Sequence, residues 1–247
     1  MALYVYLKAR PKTFLSAVLP VFSGFLLMSG LSIIIWAAYP IMAFEIFLTP
    51  KFSVLIKPIP EGVIAEAMEN RNIDNPSAIL GVTDTFAETD YTKASNWFPK
   101  SPQRREEKEG GGDYTLSIPK LNIKDALVSV GGEDLNKSLI HYGGTGFPGE
   151  YGNAVIFGHS VLPAFFDPKN YRTIFSTLPT LANGDEIFTT YDGVTYRYVV
   201  WEMRVVSADD ISVLEQKYDT SYVSLVTCVP PGTYWKKLIV KGRLEKI

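Results

Sequence analysis

The chain carries no charged residue between positions 13 and 44. This apolar run is longer than the roughly 20 residues that a helix needs to cross the hydrocarbon core of a bilayer. Lys8, Arg10 and Lys12 precede it without an acidic residue among them. Basic residues stay on the cytoplasmic side of a membrane, so we expect a cytoplasmic N-terminus and an extracytoplasmic remainder. The alternative, a cleaved signal peptide, normally has an apolar core of only about 7 to 15 residues. The length of the run therefore favours an uncleaved single-pass anchor in the cell membrane.

The sequence predicts an interfacial segment and a linker beyond the anchor. Pro40 and Glu45 interrupt the apolar pattern, so residues 41–48 are too short to cross again and are expected at the outer interface. Residues 61–70 have a helical composition. Residues 103–112 contain no apolar residue except glycine and cannot bury enough surface to order themselves, which predicts a domain boundary. The expected division is 1–12 cytoplasmic N-terminus, 13–40 transmembrane anchor, 41–112 interfacial segment and extracytoplasmic linker, and 113–247 catalytic domain.

Short strand-like segments with punctuating turns dominate after residue 112. Asp192-Gly193 lies between two alternating runs and predicts a two-residue hairpin, because both turn positions must tolerate positive φ. Residues 133–139, 171–178 and 211–216 are expected to form short helices. This pattern indicates a mainly β domain, a small closed barrel with peripheral helices. A net charge of −2 argues against a nucleic-acid partner.

Cys228 is the only cysteine of the chain and ends the strand-like run Tyr222-Val-Ser-Leu-Val-Thr-Cys228. A single cysteine cannot form an internal disulfide, which suits an oxidising compartment. Burial as a small hydrophobic residue is the common fate of a free cysteine. The following Pro230-Pro231-Gly232 stops the strand, however, and a strand end beside a loop is a frequent position for catalytic residues.

Five ordered motifs between residues 113 and 247 resemble those of the sortases, membrane-anchored cysteine transpeptidases. Ser224-Leu-Val-Thr-Cys228 is similar to the family's Thr-Leu-x-Thr-Cys, with Ser for the first Thr. The others are Leu116-Ser-Ile-Pro-Lys-Leu-Asn-Ile123, Pro148-Gly-Glu-Tyr-Gly-Asn-Ala-Val-Ile-Phe-Gly-His159, Phe175-Ser-Thr-Leu178 and Gly184-Asp-Glu-Ile187.

The resemblance implies a closed eight-stranded β-barrel with short peripheral helices, preceded by the transmembrane helix. It also implies that Cys228 attacks an LPxTG-like C-terminal sorting signal to form a thioacyl enzyme, while His159 serves as acid and base. Lys237 takes the position of the family's arginine, and Thr227 is a candidate substrate contact. The implied partners are secreted proteins with a sorting signal and an amine acceptor such as a cell-wall precursor or a pilin lysine.

Lys237 is the main departure from the family pattern. Lysine keeps the charge of arginine but lacks the planar fork that donates two parallel hydrogen bonds. Arg243 lies too far along the strand to substitute unless the strand bends, and Lys236 would need a bulge. The alternative function is therefore a catalytically silent, membrane-anchored barrel that binds a sorting motif or a partner peptide.

The remaining candidates are a second histidine, an aromatic pair and metals. His141 lies among glycines outside the Gly-His motif and is interpreted as a loop residue or a structural hydrogen-bonder. Trp97 and Phe98 stand in polar surroundings; they suggest either a packing or membrane contact, or an aromatic lid like that of some pilin-polymerising sortases.

Two histidines and one cysteine without short ligand spacing predict no zinc site, and no acidic cluster matches the calcium site of some sortases. No cofactor is expected. Papain-like enzymes place cysteine before histidine, the reverse of the order here.

Overall fold

The computed structural model describes residues 14–52, 90, 92–97 and 112–245. The basic residues at positions 8–12, the helical composition at 61–70 and most of the expected boundary at 103–112 lie outside these ranges.

An apolar helix occupies the N-terminal part. Helix α1 spans Phe14–Ala43, a π-helical turn follows at Phe44–Leu48, and α2 spans Thr49–Phe52. Within the described ranges it is the one helix long and apolar enough to cross a membrane. Pro40 lies inside α1, so the helix continues through it for three more residues. A proline removes one backbone hydrogen bond, and apolar helices of this kind tolerate such a loss.

Eight strands form the domain: β1 Tyr114–Ile118, β2 Ile123–Val130, β3 Leu139–His141, β4 Gly152–Phe157, β5 Glu186–Tyr191, β6 Val194–Ser207, β7 Ser221–Val229 and β8 Lys236–Leu244. They close into a barrel in the order β1-β2-β3-β4-β7-β8-β6-β5, which confirms the predicted fold class. Buried and less buried residues alternate along β1, whereas β4 and β7 are buried along their whole length.

Two strand pairs position the site. β4 runs parallel to β7 with Phe157 paired to Val226, and β7 runs antiparallel to β8. The C-terminal ends of β4 and β7 therefore meet at one end of the barrel, beside the start of β8. The last residues of the two motif strands and the first residues of β8 are brought together there.

The local predictions succeed at the hairpin and fail at two of the three helices. Asp192 and Gly193 join β5 to β6 with φ values of 49° and 74°. Residues 133–138 contain a β-bridge, turns and a bend before Leu139 begins β3, and residues 171–177 form turns before the 3-10 helix Leu178–Thr180. Asp134 accepts a hydrogen bond from the backbone of Asn136 at 3.0 Å, a local bond that competes with helix formation. The third segment contains a single 3-10 turn, Ser212–Leu214.

Candidate active site

Cys228 and Lys237 face each other across the β7–β8 pair. Their positions are direct partners in an antiparallel register without a shift, and the same register pairs Lys236 with Val229 and Arg243 with Tyr222. Arg243 therefore lies near the opposite end of β8, and no bulge brings Lys236 to the cysteine. Of these three cations, Lys237 is the one aligned with Cys228.

His159 follows β4 and is fixed to the cysteine strand by the residues on either side of it. Thr227 Oγ1 donates to the carbonyl of Gly158 at 2.8 Å, and Ser160 Oγ donates to the carbonyl of Cys228 at 2.6 Å. We call these two bonds the clasp. Together with the bond from Gly158 N to Val226 O at 3.1 Å, the clasp holds the histidine segment beside the cysteine.

Gly158 is required by the close approach of this segment to the core. A Cβ at position 158 would collide with the ring of Phe175 and would lie 2.7 Å from Leu139 Cδ2. Close packing against Phe175 and Leu139 therefore explains the glycine of the Gly-His motif. The second residue, His159, lies at the end of the barrel and is largely buried, with 9% of its area exposed.

The Lys237 side chain is buried and its ammonium group binds backbone carbonyls. Nζ donates to the carbonyl of Ala208 at 2.6 Å and also to the carbonyl of Trp97. It lies 5.8 Å from the centroid of the Trp97 ring, within the range of a cation–π contact. These carbonyl oxygens offset part of the cost of burying the ammonium.

Trp97 covers this group of residues. It ends the 3-10 helix Ala94–Trp97 and is 1% exposed. Its ring stacks on Phe157 with centroids 5.3 Å apart and lies 6.1 Å from the ring of His159. Trp97 and Cys228 belong to the same buried cluster. Trp97 is therefore a packing contact, as one of the alternatives expected, in the cluster that also contains the candidate nucleophile. Phe98 lies outside the described residues.

Backbone hydrogen bonds hold the segment that carries Trp97 to the barrel. Ala94 N donates to the carbonyl of Glu133 at 3.0 Å, and Leu135 N donates to the carbonyl of Thr92 at 3.0 Å. Lys93 and Asp134 form an isolated β-bridge between the same two segments. The turn at residues 133–139, which the sequence suggests is a helix, is thus the docking partner of residues 92–97.

Burial suppresses the charged form of each candidate catalytic group. It raises the pKa of Cys228 to about 12, although the Lys237 charge opposes this shift. Burial, with a smaller contribution from the Arg172 charge, lowers the pKa of His159. Burial also lowers the pKa of Lys237 to about 8. The covered site therefore disfavours the thiolate and the imidazolium that acyl transfer requires.

His159 has a buried ring nitrogen ready for a ligand. Its Nε2 has no hydrogen-bond partner within the part of the chain that the structure describes. Buried polar atoms are normally paired, so an unpaired nitrogen at the cysteine end of the barrel suits a group that exchanges protons with a substrate. With the thiol of Cys228 and the ammonium of Lys237, this end of the barrel holds a thiol, an imidazole and a cation, which are the kinds of group that cysteine acyl transfer requires.

His141 has a structural environment instead. It is the last residue of β3 and 1% exposed, so it is not a loop residue. Its Nδ1 is 2.8 Å from Tyr114 Oη and its Nε2 is 3.2 Å from Thr145 Oγ1. Burial lowers its pKa to about 4, so the ring is neutral. This arrangement fits the expectation of a structural hydrogen-bonder.

Two contributors to the site were missed by sequence reasoning. Ser160 stands directly after the motif histidine, which could have drawn attention to it. Arg172 affects the His159 pKa from a turn remote in sequence, and no sequence signal marks it. Thr227 is fully buried with its hydroxyl in the clasp, and its contact with substrate stays a prediction.

Comparison with known proteins places these residues in one family. The model of the sortase domain matches residues 116–245. Sortase D of Bacillus subtilis is 26% identical over 160 residues, covering 63% of this chain and 75% of that protein. Sortase A of Listeria monocytogenes is 26% identical over 95 residues, which cover 38% of this chain and 39% of the relative. The solved structure of a Clostridium perfringens sortase D5 transpeptidase is similar with a TM-score of 0.47 and 28% identity, over 55% of this chain and 79% of the other.

The matched region holds all eight strands except the first two residues of β1, together with Cys228, His159 and Lys237. It amounts to more than half of the 247 residues. The chain therefore belongs to the sortase family, the cysteine transpeptidases that recognise sorting signals.

Proposed function

We propose that Cys228, His159 and Lys237 are the catalytic residues of this transpeptidase and that it cleaves an LPxTG-like C-terminal sorting signal. The observation that carries the proposal is the direct pairing of Cys228 with Lys237 across β7 and β8. The clasp supports it, because hydrogen bonds on both sides of His159 tie that residue to the cysteine strand.

The reaction proceeds through a thioester on Cys228. The thiolate attacks the carbonyl carbon of the scissile peptide bond while the His159 imidazolium gives its proton to the departing amine. The C–N bond breaks and an S–C bond remains. The incoming amine then attacks the thioester, loses a proton to the neutral His159 and forms a new amide bond. Cys228 leaves as thiolate, so the enzyme returns to its initial protonation state.

Lys237 supplies the positive charge for the developing oxyanion. Its ammonium already donates to two backbone carbonyls, so it is placed and desolvated for binding an oxygen. Fixed donors in a site without water stabilise transition-state charge more than they do in water. A lysine supplies this stabilisation as a compact positive charge, whereas the family's arginine supplies it through a planar guanidinium that can donate two parallel hydrogen bonds.

Trp97 keeps the site closed until substrate arrives. Its ring covers the cluster that contains Cys228, and its carbonyl takes one of the Lys237 hydrogen bonds. A substrate carbonyl that binds Lys237 would replace that of Trp97. Displacement of the ring would also admit solvent to the thiol and the imidazole, which brings both pKa values towards their ordinary range.

The enzyme works at the outer face of the cell membrane. Helix α1 is its single anchor, and the basic residues at positions 8, 10 and 12 keep the N-terminus in the cytoplasm. The substrates are secreted proteins with a C-terminal sorting signal. The acceptor is an amine of a cell-wall precursor or of a pilin lysine.

Trapping of the thioacyl enzyme tests the proposal. The full chain in detergent is incubated with a small library of sorting-signal peptides, with and without an amine, and Cys228 is examined by mass spectrometry. We expect an acyl adduct on Cys228 that the amine removes, and none with Cys228→Ala. If folded protein gives no adduct with any peptide, the silent peptide-binding barrel is the better description.

A further inference from the structure

Glu45 joins the start of β8 to the segment that directly follows the apolar run. It is the first charged residue after residues 13–44. Lys236 Nζ lies 3.1 Å from both of its carboxylate oxygens. Thr49 Oγ1 donates to the same carboxylate at 3.3 Å, and Phe52 at the end of α2 is 6% exposed. Residues 45–52 are thus packed on the barrel beside Lys236.

Exposed aromatic side chains stand next to this ion pair. Trp235 is 61% exposed and Tyr234 is 50% exposed, although both precede a buried strand. Ile46 and Phe47, beside Glu45, are 57% and 66% exposed. Tryptophan and tyrosine next to lysine is the composition that proteins place at the headgroup level of a bilayer, because these side chains have an apolar body and a polar end.

The chain connection limits where these aromatics can lie. If the apolar run crosses a membrane, Glu45 is at the surface where the chain emerges. Lys236 is held to Glu45, and Trp235 is its neighbour along the chain, about 3.8 Å away between Cα atoms. The aromatic pair is therefore held at the same level as the membrane surface.

We infer that Tyr234, Trp235 and Lys236 form a lipid-contacting surface that seats the catalytic end of the barrel on the headgroup layer of the bilayer. The inference rests on the proposed membrane anchoring. Lys237, the next residue, faces Cys228, so the candidate active site lies close to the lipid surface. Sorting signals and amine acceptors that are still attached to lipid would reach this site without leaving the membrane.

Quenching of tryptophan fluorescence by brominated lipid tests the contact. The full chain with Trp36→Phe, which removes the anchor tryptophan, is reconstituted in phosphatidylcholine and phosphatidylglycerol vesicles with or without dibrominated acyl chains. Trp97 is buried, so Trp235 and Trp201 remain as responsive residues. We expect brominated vesicles to lower the emission, and Trp235→Phe to abolish most of that loss.

Trp201→Phe is the matched control, because Trp201 is 46% exposed and its ring lies 6.3 Å from Tyr222, near the other end of β7. It should leave the quenching intact. If Trp201→Phe removes the quenching and Trp235→Phe does not, the surface is elsewhere. If Trp235 emission changes with protein concentration and not with bromination, a second copy or another protein occupies the surface and the inference is overturned.

Glu45→Gln is a second variant, which weakens the ion pair with Lys236 and leaves the exposed aromatic residues unmutated. It should weaken the quenching of Trp235, because the ion pair holds this surface at the level of the membrane. The thioacyl assay on the same samples separates the two proposals. Quenching without an adduct would reject the proposed chemistry alone, and an adduct without quenching would reject the lipid contact alone.

Discussion

Lys237 lies directly opposite Cys228 in the antiparallel β7–β8 pair, and its ammonium donates a hydrogen bond to the carbonyl of Trp97, which belongs to the same buried cluster as the cysteine. One side chain thus links the candidate nucleophile to the segment that carries Trp97. A substitution of Lys237 therefore affects both the proposed chemistry and the packing of that segment. Backbone oxygens around the ammonium offset part of the hydration that it loses on burial.

Removal of the Lys237 charge should disable the enzyme. Lys237→Met is expected to lower kcat/KM for peptide cleavage by about 10² to 10³, the usual cost of a lost oxyanion donor. Lys237→Arg should keep most of the activity because the charge remains. Lys241→Met, on the same strand, is the matched control. Equal rates for Lys237→Met and the unchanged protein would exclude Lys237 from catalysis.

Uncovering Cys228 should make its thiol reactive at lower pH. The thiolate is the reactive form, and burial raises the pKa of Cys228 to about 12. Trp97→Ala admits solvent, lowers that pKa and should shift the midpoint of iodoacetamide alkylation down by at least about one pH unit, or about tenfold in rate below the midpoint. Val213→Ala removes packing from the same cluster and controls for loosening. An unchanged midpoint in Trp97→Ala would show that Trp97 does not shield the thiol.

The hydroxyl of Thr227 should contribute to stability. Thr227→Val keeps the shape but leaves the buried carbonyl of Gly158 without this donor, which should lower the free energy of unfolding by about 1 to 3 kcal/mol. Thr227→Ser retains the hydroxyl and should lose less. Urea unfolding followed by circular dichroism measures both. A loss in Thr227→Ser with none in Thr227→Val would show that the methyl group, and not the hydrogen bond, matters.

Ser160 should affect rate more than stability. Ser160→Ala frees the residue after His159 from the cysteine strand, so the imidazole is held less accurately. We expect kcat to fall between about 10- and 100-fold, as for other misplaced catalytic groups, with little change in the urea midpoint. Ser160→Thr keeps a hydroxyl and should recover most of the rate. A loss of stability without a loss of kcat would assign Ser160 a purely structural role.

His141 should make the protein less stable in acid. Its folded-state pKa is about 4 against the ordinary 6.5, so between these values the unfolded chain binds a proton that the folded chain does not. Stability should fall as pH drops from 6.5 to 4, by up to roughly 3 kcal/mol at about 1.4 kcal/mol per pKa unit. In His141→Phe this part of the pH dependence should disappear. Urea unfolding at several pH values tests this, and an unaltered slope in His141→Phe would refute it.

The sequence predicts the barrel well because local rules and tertiary packing agree there. The Asp192-Gly193 hairpin needs positive φ at both positions and the structure has it. The pairing of residue 228 with 237 follows from a strand that ends at a proline turn. Residues 133–139 and 171–178 have helical composition, but side-chain and loop contacts stabilise turns there, and no propensity argument contains those contacts.

Only part of the site can be predicted from the sequence, because tertiary contacts also determine it. Cys228 and His159 stand out by their motifs, whereas the environment of each depends on burial by distant residues. The position of Trp97 over Phe157 is set by a short segment docked on residues 133–135. Nothing in the local sequence of that segment indicates its docking partner. Nor does the sequence indicate that a tryptophan carbonyl would accept a hydrogen bond from Lys237.

The burial of Cys228 also affects how long its thiol can stay reduced. Peroxides and disulfides react with thiolates that they can reach, and the products beyond the sulfenic acid are mostly irreversible. A thiol that is 3% exposed, with its pKa raised to about 12, resists both kinds of attack. The packing at this end of the barrel thus keeps the candidate nucleophile reduced while no ligand is bound.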